Sequence, residues 1–227
     1  MKNHILIPLL ILFSIGFVNA QQVFLSKVEK INENKDKQLL MVNPEEAVEY
    51  LGEIDVIGFS NDDTAVFSEI YKKAKEVGAN SFAYKPFETV DGKPNAFNPA
   101  NYKISLYYTS KENITNQKNI FYIFSSSSKP QKISVNRKDY IIDPRSYIEI
   151  LATPGEVYTI STKKLLGSTI KVGNKTDFSA QYFQISALKV QSNKIGEPGI
   201  NLKSGDIMAL DSSYGDFLRM IYTKNNK

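Results

Sequence analysis

Cysteine and tryptophan are absent from the 227 residues, and histidine occurs once, as His4. With no thiol there is no disulfide, no thiolate nucleophile, no iron–sulfur cluster and no cysteine-bound zinc. A single imidazole removes most of the scope for the usual general base, the commonest metal ligand and the side chain that titrates near neutral pH. Charge of one sign is not concentrated anywhere: 28 Lys and Arg stand against 24 Asp and Glu, a net +4, or +3 once Lys2 is removed with a signal segment. Lysines alternate with acids instead of forming a basic stripe with interleaved aromatics, so nucleic acid is not an expected partner. Beyond residue 18 there is no second long apolar run, so no membrane span is expected in the processed chain.

What is present begins with an address. Lys2 forms a short positive region, Ile5 to Val18 is apolar, and Val18-Asn19-Ala20 places small residues where a signal peptidase reads them. Residues 1–20 are therefore expected to be a signal peptide, cleaved between Ala20 and Gln21. The alternative, a membrane anchor, meets an apolar run shorter than the roughly 20 residues a bilayer needs. No cysteine follows the run, so lipid attachment is excluded. His4 leaves with the segment, and the expected location is the periplasm or the exterior. Abundant Lys, Asn and Ile fit an A+T-rich genome, in keeping with a bacterial cell envelope.

The remaining chain reads as two units. "TSKENITNQKN", Thr109 to Asn119, is a polar connector, giving an α+β unit over 21–110 and a β-sandwich unit over 118–227. In the first, Pro44 sits where a helix can start, with Glu45 and Glu46 suited to its first turn, and Gly52 leads into a strand through Ile54, Val56 and Ile57. The clearest element follows. Asp62 and Asp63 supply helix caps, Val66, Ile70, Ala74 and Val77 recur at helical spacing, and Gly78 stops the helix with a residue that accepts left-handed backbone. Ser81 to Phe87 and Lys103 to Tyr108 alternate as strands, so one helix covers a small sheet.

Leu51-Gly52-Glu53, Lys73-Ala74-Lys75 and Gly78-Ala79-Asn80 followed by an apolar strand resemble a family of small envelope domains. These are the outer-membrane sensor of the Rcs stress phosphorelay and the YbjQ-type proteins. The resemblance spans roughly Tyr50 to Tyr108. The sensor's lipid-bearing and disulfide cysteines are missing here, so the resemblance implies a fold more than a signalling role.

The second unit is strand-rich. "QKISVNRKDYIID" reads as two strands about Asn136-Arg137-Lys138, and "SYIEILATPGEVYTIST" repeats that form about Thr153-Pro154-Gly155. "STIKVGNKTDFSAQYFQISALKV" does so again about Gly173-Asn174-Lys175. Such spacing predicts a sandwich of two sheets. Tyr147, Ile148, Pro154-Gly155 and the Tyr158/Ile160 strand are similar to the exported β-sandwich family DUF2846, over about Asn119 to Ala187. That resemblance brings no chemistry with it. The tail holds a strand at Asp206 to Leu210 and "DFLRMIYT", readable as strand or short helix.

No constellation points to catalysis, a metal or a cofactor. Ser-x-x-Lys occurs at Ser126/Lys129, Ser161/Lys164, Ser168/Lys171 and Ser186/Lys189. Most pairs fall in strands or turns, where that spacing points the two side chains to opposite faces. Asp206, Asp211 and Asp216 lack the oxygen spacing of a calcium loop. Asn113 and Asn174 head glycosylation patterns that matter only in a eukaryotic host. Tyr107-Tyr108, Phe121-Tyr122 and Tyr182-Phe183 include aromatics that alternation points away from a single core. These belong to cross-strand pairs and contacts between the units, or else to a contact surface. The expected function is an exported, non-catalytic binding module of the cell envelope, whose partner is a protein or a polysaccharide. The alternative is a carboxylate-dependent hydrolase such as a glycosidase.

Overall fold

The computed structural model describes residues 21–45, 49–88, 91, 93–114, 117–163, 167–173, 178–186, 200–204 and 206–225. The expected signal segment up to Ala20 lies outside them, with Gln21 the first residue described. The fold is α+β, mostly strand, with three sheets and two α-helices among the described residues in a sandwich-like architecture. No described helix is long and apolar enough to cross a membrane.

Five strands make the first sheet: β1 (Gln22–Val28), β2 (Leu40–Met41), β3 (Glu49–Ile57), β4 (Ser81–Lys85) and β5 (Asn101–Tyr108). Their order is β1-β3-β5-β4-β2, antiparallel except for the parallel β2/β4 pair. Helix α1 (Asp63–Glu76) covers one face. Its Val66, Phe67, Ile70 and Ala74 meet Ile54, Val56, Tyr102, Ile104 and Leu106, so a stripe of period 3.6 is buried on a face of period 2. Each large apolar side chain so buried contributes about 1.5–3 kcal/mol.

Gly78 is required twice over. It adopts φ +76°, and the amides of Gly78 and Ala79 close the helix on the carbonyls of Lys75 and Ala74 at 3.1 and 3.0 Å. The Asn32 backbone also crosses directly over it, leaving only 1.8 Å between a Cβ there and the Asn32 carbonyl oxygen. The helix expected from Pro44 would run through residues that are not described. Pro44 and Glu45 form a turn and β3 already begins at Glu49, while residues 46–48 lie outside the described residues. Cross-strand pairing of Tyr50 with Tyr107 and of Gly52 with Leu106 extends the chain there, with a bulge between the two pairs.

A 3₁₀ turn at Lys111–Asn113 opens the connector. Then come β6 (Ile120–Phe124), β7 (Gln131–Val135), β8 (Lys138–Ile142), β9 (Ser146–Leu151), β10 (Tyr158–Thr162), β11 (Thr169–Val172), β12 (Gln181–Ile185), β13 (Ile200–Ser204) and β14 (Ile207–Leu210). Helix α2 (Ser212–Ile221) and the short β15 (Thr223–Lys224) complete the order. The second sheet runs β11-β10-β7-β8 and the third β13-β14-β12-β6-β9-β15.

Only one of the three expected hairpins forms. Asn136 and Arg137, at φ +47° and +70°, turn β7 directly into β8. The Thr153–Gly155 break instead carries the chain from β9 in the third sheet to β10 in the second. Strands β11 and β12 likewise belong to different sheets, and Asn174 lies outside the described residues. A sandwich is closed by such crossings, so a turn signal between strands does not establish that they pair.

The third sheet is buried on both faces. Phe121, Ile123, Ile148, Phe183, Ile185 and Ile207 point into the second sheet. Tyr122, Phe124, Tyr147, Tyr182, Met208 and Leu210 point the other way, into a core they share with both helices and the first sheet. The aromatics that alternation directs away from the sandwich are thus covered by the first unit and α2. "DFLRMI" is helical: Asp211 caps it by accepting from the Ser213 amide at 2.8 Å, and Tyr214, Phe217, Leu218 and Ile221 line one buried face. Gly215 lets that face settle on the Tyr182 ring, where a Cβ would stand 2.2 Å from Cγ.

Candidate functional site

Two buried carboxylates sit where the first sheet, α1 and α2 meet the sandwich. Asp62 and Asp63 are neighbours in sequence with different work. Asp62 caps α1, its Oδ1 accepting from the Ala65 amide at 3.0 Å. Asp63 turns inward, 6% exposed, and accepts from Arg145 Nη2 at 2.8 Å and the Tyr222 hydroxyl at 2.7 Å. The Arg145 guanidinium lies between the Phe59 and Tyr222 rings, at 5.3 and 5.2 Å from their centroids. Its backbone adopts φ +52° in the turn between β8 and β9, an uncommon conformation for a residue other than glycine. Burial pushes the Asp63 carboxyl up, against the opposing pull of Arg145 and Tyr222.

The second carboxylate, Asp216 on α2, joins three elements. Its Oδ2 accepts from the Met41 amide of β2 at 3.0 Å, its Oδ1 from the Tyr182 hydroxyl of β12 at 2.7 Å, and Arg219 stands 3.7 Å away. Arg219 Nη1 donates to Gln117 Oε1 at 2.7 Å and to the Tyr122 hydroxyl at 3.2 Å, and Tyr122 donates to the same Gln117 oxygen. The guanidinium covers the Tyr122 ring, which stacks on Tyr182 at 5.3 Å. Burial raises the Asp216 carboxyl above its ordinary range.

A cleft of about 300 Å³ opens over this second cluster, walled by Gln38, Met41, Gln117, Ser179, Tyr182, Asp216 and Arg219 among others. A neighbouring cleft of about 420 Å³, with Asn43, Pro44 and Tyr84 in its wall, shares Met41, Gln117 and Arg219 with the first. Among the described residues, Asp216 is the single carboxylate in the first lining and the second lining shows none. Asp216 is already engaged by an amide, a phenol and a guanidinium, so it is poorly placed to take a proton from a substrate. Among the described residues no group of His, Cys, Asp and Glu is placed to hold a metal ion.

The open face of the first sheet carries a different cluster. Glu53 accepts from Lys85, from the Tyr50 hydroxyl at 2.7 Å and from Lys103 at 3.2 Å. Burial pulls its carboxyl upward, but hydrogen bonds from Lys85, Tyr50 and Lys103 outweigh that and hold it at about 2.

Other residues singled out by spacing do not converge. Asp206 accepts from the Thr162 hydroxyl and the Ser168 amide, Asp211 caps α2, and Asp216 serves the cleft. Ser126 and Lys129 close a turn, the hydroxyl bonding both backbone groups of Lys129. Lys164 and Lys189 lie outside the described residues. Sequence reasoning missed Arg145 and Tyr222, and weighed Asp216 only as a calcium ligand. One signal was available: Asp216 is a charge inside the apolar stretch "YGDFLRMI", where only a partnered carboxylate tolerates burial. Comparison with known family models, curated proteins and solved structures returns no match.

Proposed function

We propose that the protein is an exported, non-catalytic binding module of the bacterial cell envelope and that the paired clefts are where it binds. The observation that carries this is the state of the cleft's ionisable groups. Asp216 and Arg219 are spent on each other, on Met41, Tyr182, Tyr122 and Gln117. A wall of pre-fixed polar groups orients a ligand without supplying a free acid or base. Glycoside hydrolysis calls for two carboxyl groups about 5–9.5 Å apart across the scissile bond, and among the described residues the cleft contributes one.

The test uses the chain from Gln21 onward. It is expected to co-sediment with envelope fractions. Ser179→Trp, which adds bulk at an exposed position in the cleft wall, is expected to abolish that while leaving thermal unfolding unchanged. Turnover of chromogenic glycosides or esters that disappears in a folded Asp216→Asn protein would overturn the proposal.

A further inference from the structure

We infer that the two clefts form one trough for a short, linear, uncharged glycan. This assignment rests on the binding role proposed above and names its ligand class.

Three features of the trough select that chemistry. The first is charge. Among the described lining residues, Asp216 is the only carboxylate and Arg219 the only cation, and they face each other at 3.7 Å. An anion entering the trough meets the Asp216 carboxylate and a cation meets the guanidinium, so neither gains from a net field. The second is the wall. The amides of Gln38, Asn43 and Gln117 and the hydroxyl of Ser179 offer donors and acceptors suited to vicinal hydroxyls, while Pro44 and Tyr84 offer an apolar flank for the C–H face of a sugar ring. An acyl chain would leave those polar groups dry and unpaired. The third is shape. The clefts are at the small end of ligand cavities, which run to about 1,000 Å³, and they meet at the Gln117–Arg219 bridge. Each accommodates one ring, with the linkage lying over that bridge.

An extended peptide is disfavoured by the same geometry. A peptide adds to a sheet edge through unpaired backbone groups. At the β2 edge those donors are occupied: the Leu39 amide bonds Ser213 Oγ at 3.0 Å and the Met41 amide bonds Asp216 at 3.0 Å.

The test is a ¹H–¹⁵N titration of the chain from Gln21 onward with triacetylchitotriose and maltotriose as neutral probes, trigalacturonate as the anionic probe, and an uncharged hexapeptide. At least one neutral trisaccharide is expected to shift the Gln117, Ser179 and Tyr84 amides. Its monosaccharide should bind at least about tenfold more weakly, its disaccharide about as well, and Gln117→Leu should cost about tenfold or more. Tyr84→Leu should weaken the trisaccharide but not the monosaccharide. Tighter binding of trigalacturonate, binding of the peptide alone, or silence from both neutral probes at roughly 10 mM would overturn the inference. If envelope co-sedimentation persists and remains sensitive to Ser179→Trp, the binding role survives that outcome. If it too is absent, both fail.

Discussion

On the open face of the first sheet, Glu53 accepts from Lys85, Tyr50 and Lys103, and its carboxyl is held at about 2. At the junction, Asp63 accepts from Arg145 and Tyr222, and its carboxyl is pushed up. Both groups have a cationic donor and a phenol. Both are equally covered, at 6% exposed, and they differ in how many cations answer them and in how exposed those cations are. Burial weighs on Glu53 as well, but two partly exposed lysines and a phenol together outweigh it, so the ionised form is favoured. Asp63 has one guanidinium in a nearly dry site, where desolvation exceeds what the partner returns. The face is tolerant, and the junction is demanding.

The signs of the pH dependence follow. Glu53 has a folded value below its ordinary one, so its contribution is present above about pH 4.5 and is lost as pH falls towards 2. Asp63 and Asp216 have raised folded values, so their contributions are present below the ordinary aspartate range and are lost as pH rises through the folded values.

Substitutions can break or sharpen this contrast. Arg145→Ala strands the Asp63 charge and should cost about 3–5 kcal/mol in urea unfolding at about pH 8. Part of that should return near pH 5, as Asp63 becomes able to hold a proton. A loss below about 1 kcal/mol, or one indifferent to pH, would make the junction no more demanding than an exposed pair. Gly215→Val drives a side chain into the Tyr182 ring. It should cost about 1–3 kcal/mol by overpacking, with a changed near-ultraviolet tyrosine signal from the Tyr122–Tyr182 stack. Glu53→Gln should cost about 1–3 kcal/mol near neutrality, and its signature is a flatter acid limb below about pH 4.5. An unchanged acid limb would show that another carboxylate governs it. Asp62→Ala, one residue from Asp63 but outside its network, should cost only about 1 kcal/mol, the worth of a helix cap. An equal cost at Asp62 and Arg145 would erase the distinction.

The sequence announced what was local. Asp62, the apolar stripe of α1 and Gly78 lie within one helix, and their spacing is enough to place it. Asn136-Arg137 closes a hairpin for the same reason. The sandwich was legible from alternation, because Phe121 and Tyr122, like Tyr182 and Phe183, mark opposite faces of a strand. Partner identity was not legible. Strands β6 and β12 run side by side in parallel although their first residues, Ile120 and Gln181, are far apart in the chain, and no turn residue encodes that. The Asp63–Arg145 pair is separated by 82 positions and the Tyr182–Asp216 pair by 34. Each reads as surface charge until the covering helix is in place. The candidate clefts were invisible for the same reason, being walled by fragments of β2, the connector, β12 and α2.

The Leu39–Ser213 and Met41–Asp216 hydrogen bonds span 174 and 175 positions. A ribosome, or a translocation channel, delivers the earlier partner long before the later one exists. The first sheet must therefore wait, with one flank unfinished, until α2 arrives to seal it. Such high contact order slows folding. It also means that trimming the protein back past residue 211 would leave more than a shortened sandwich: the first sheet would lose its seal as well.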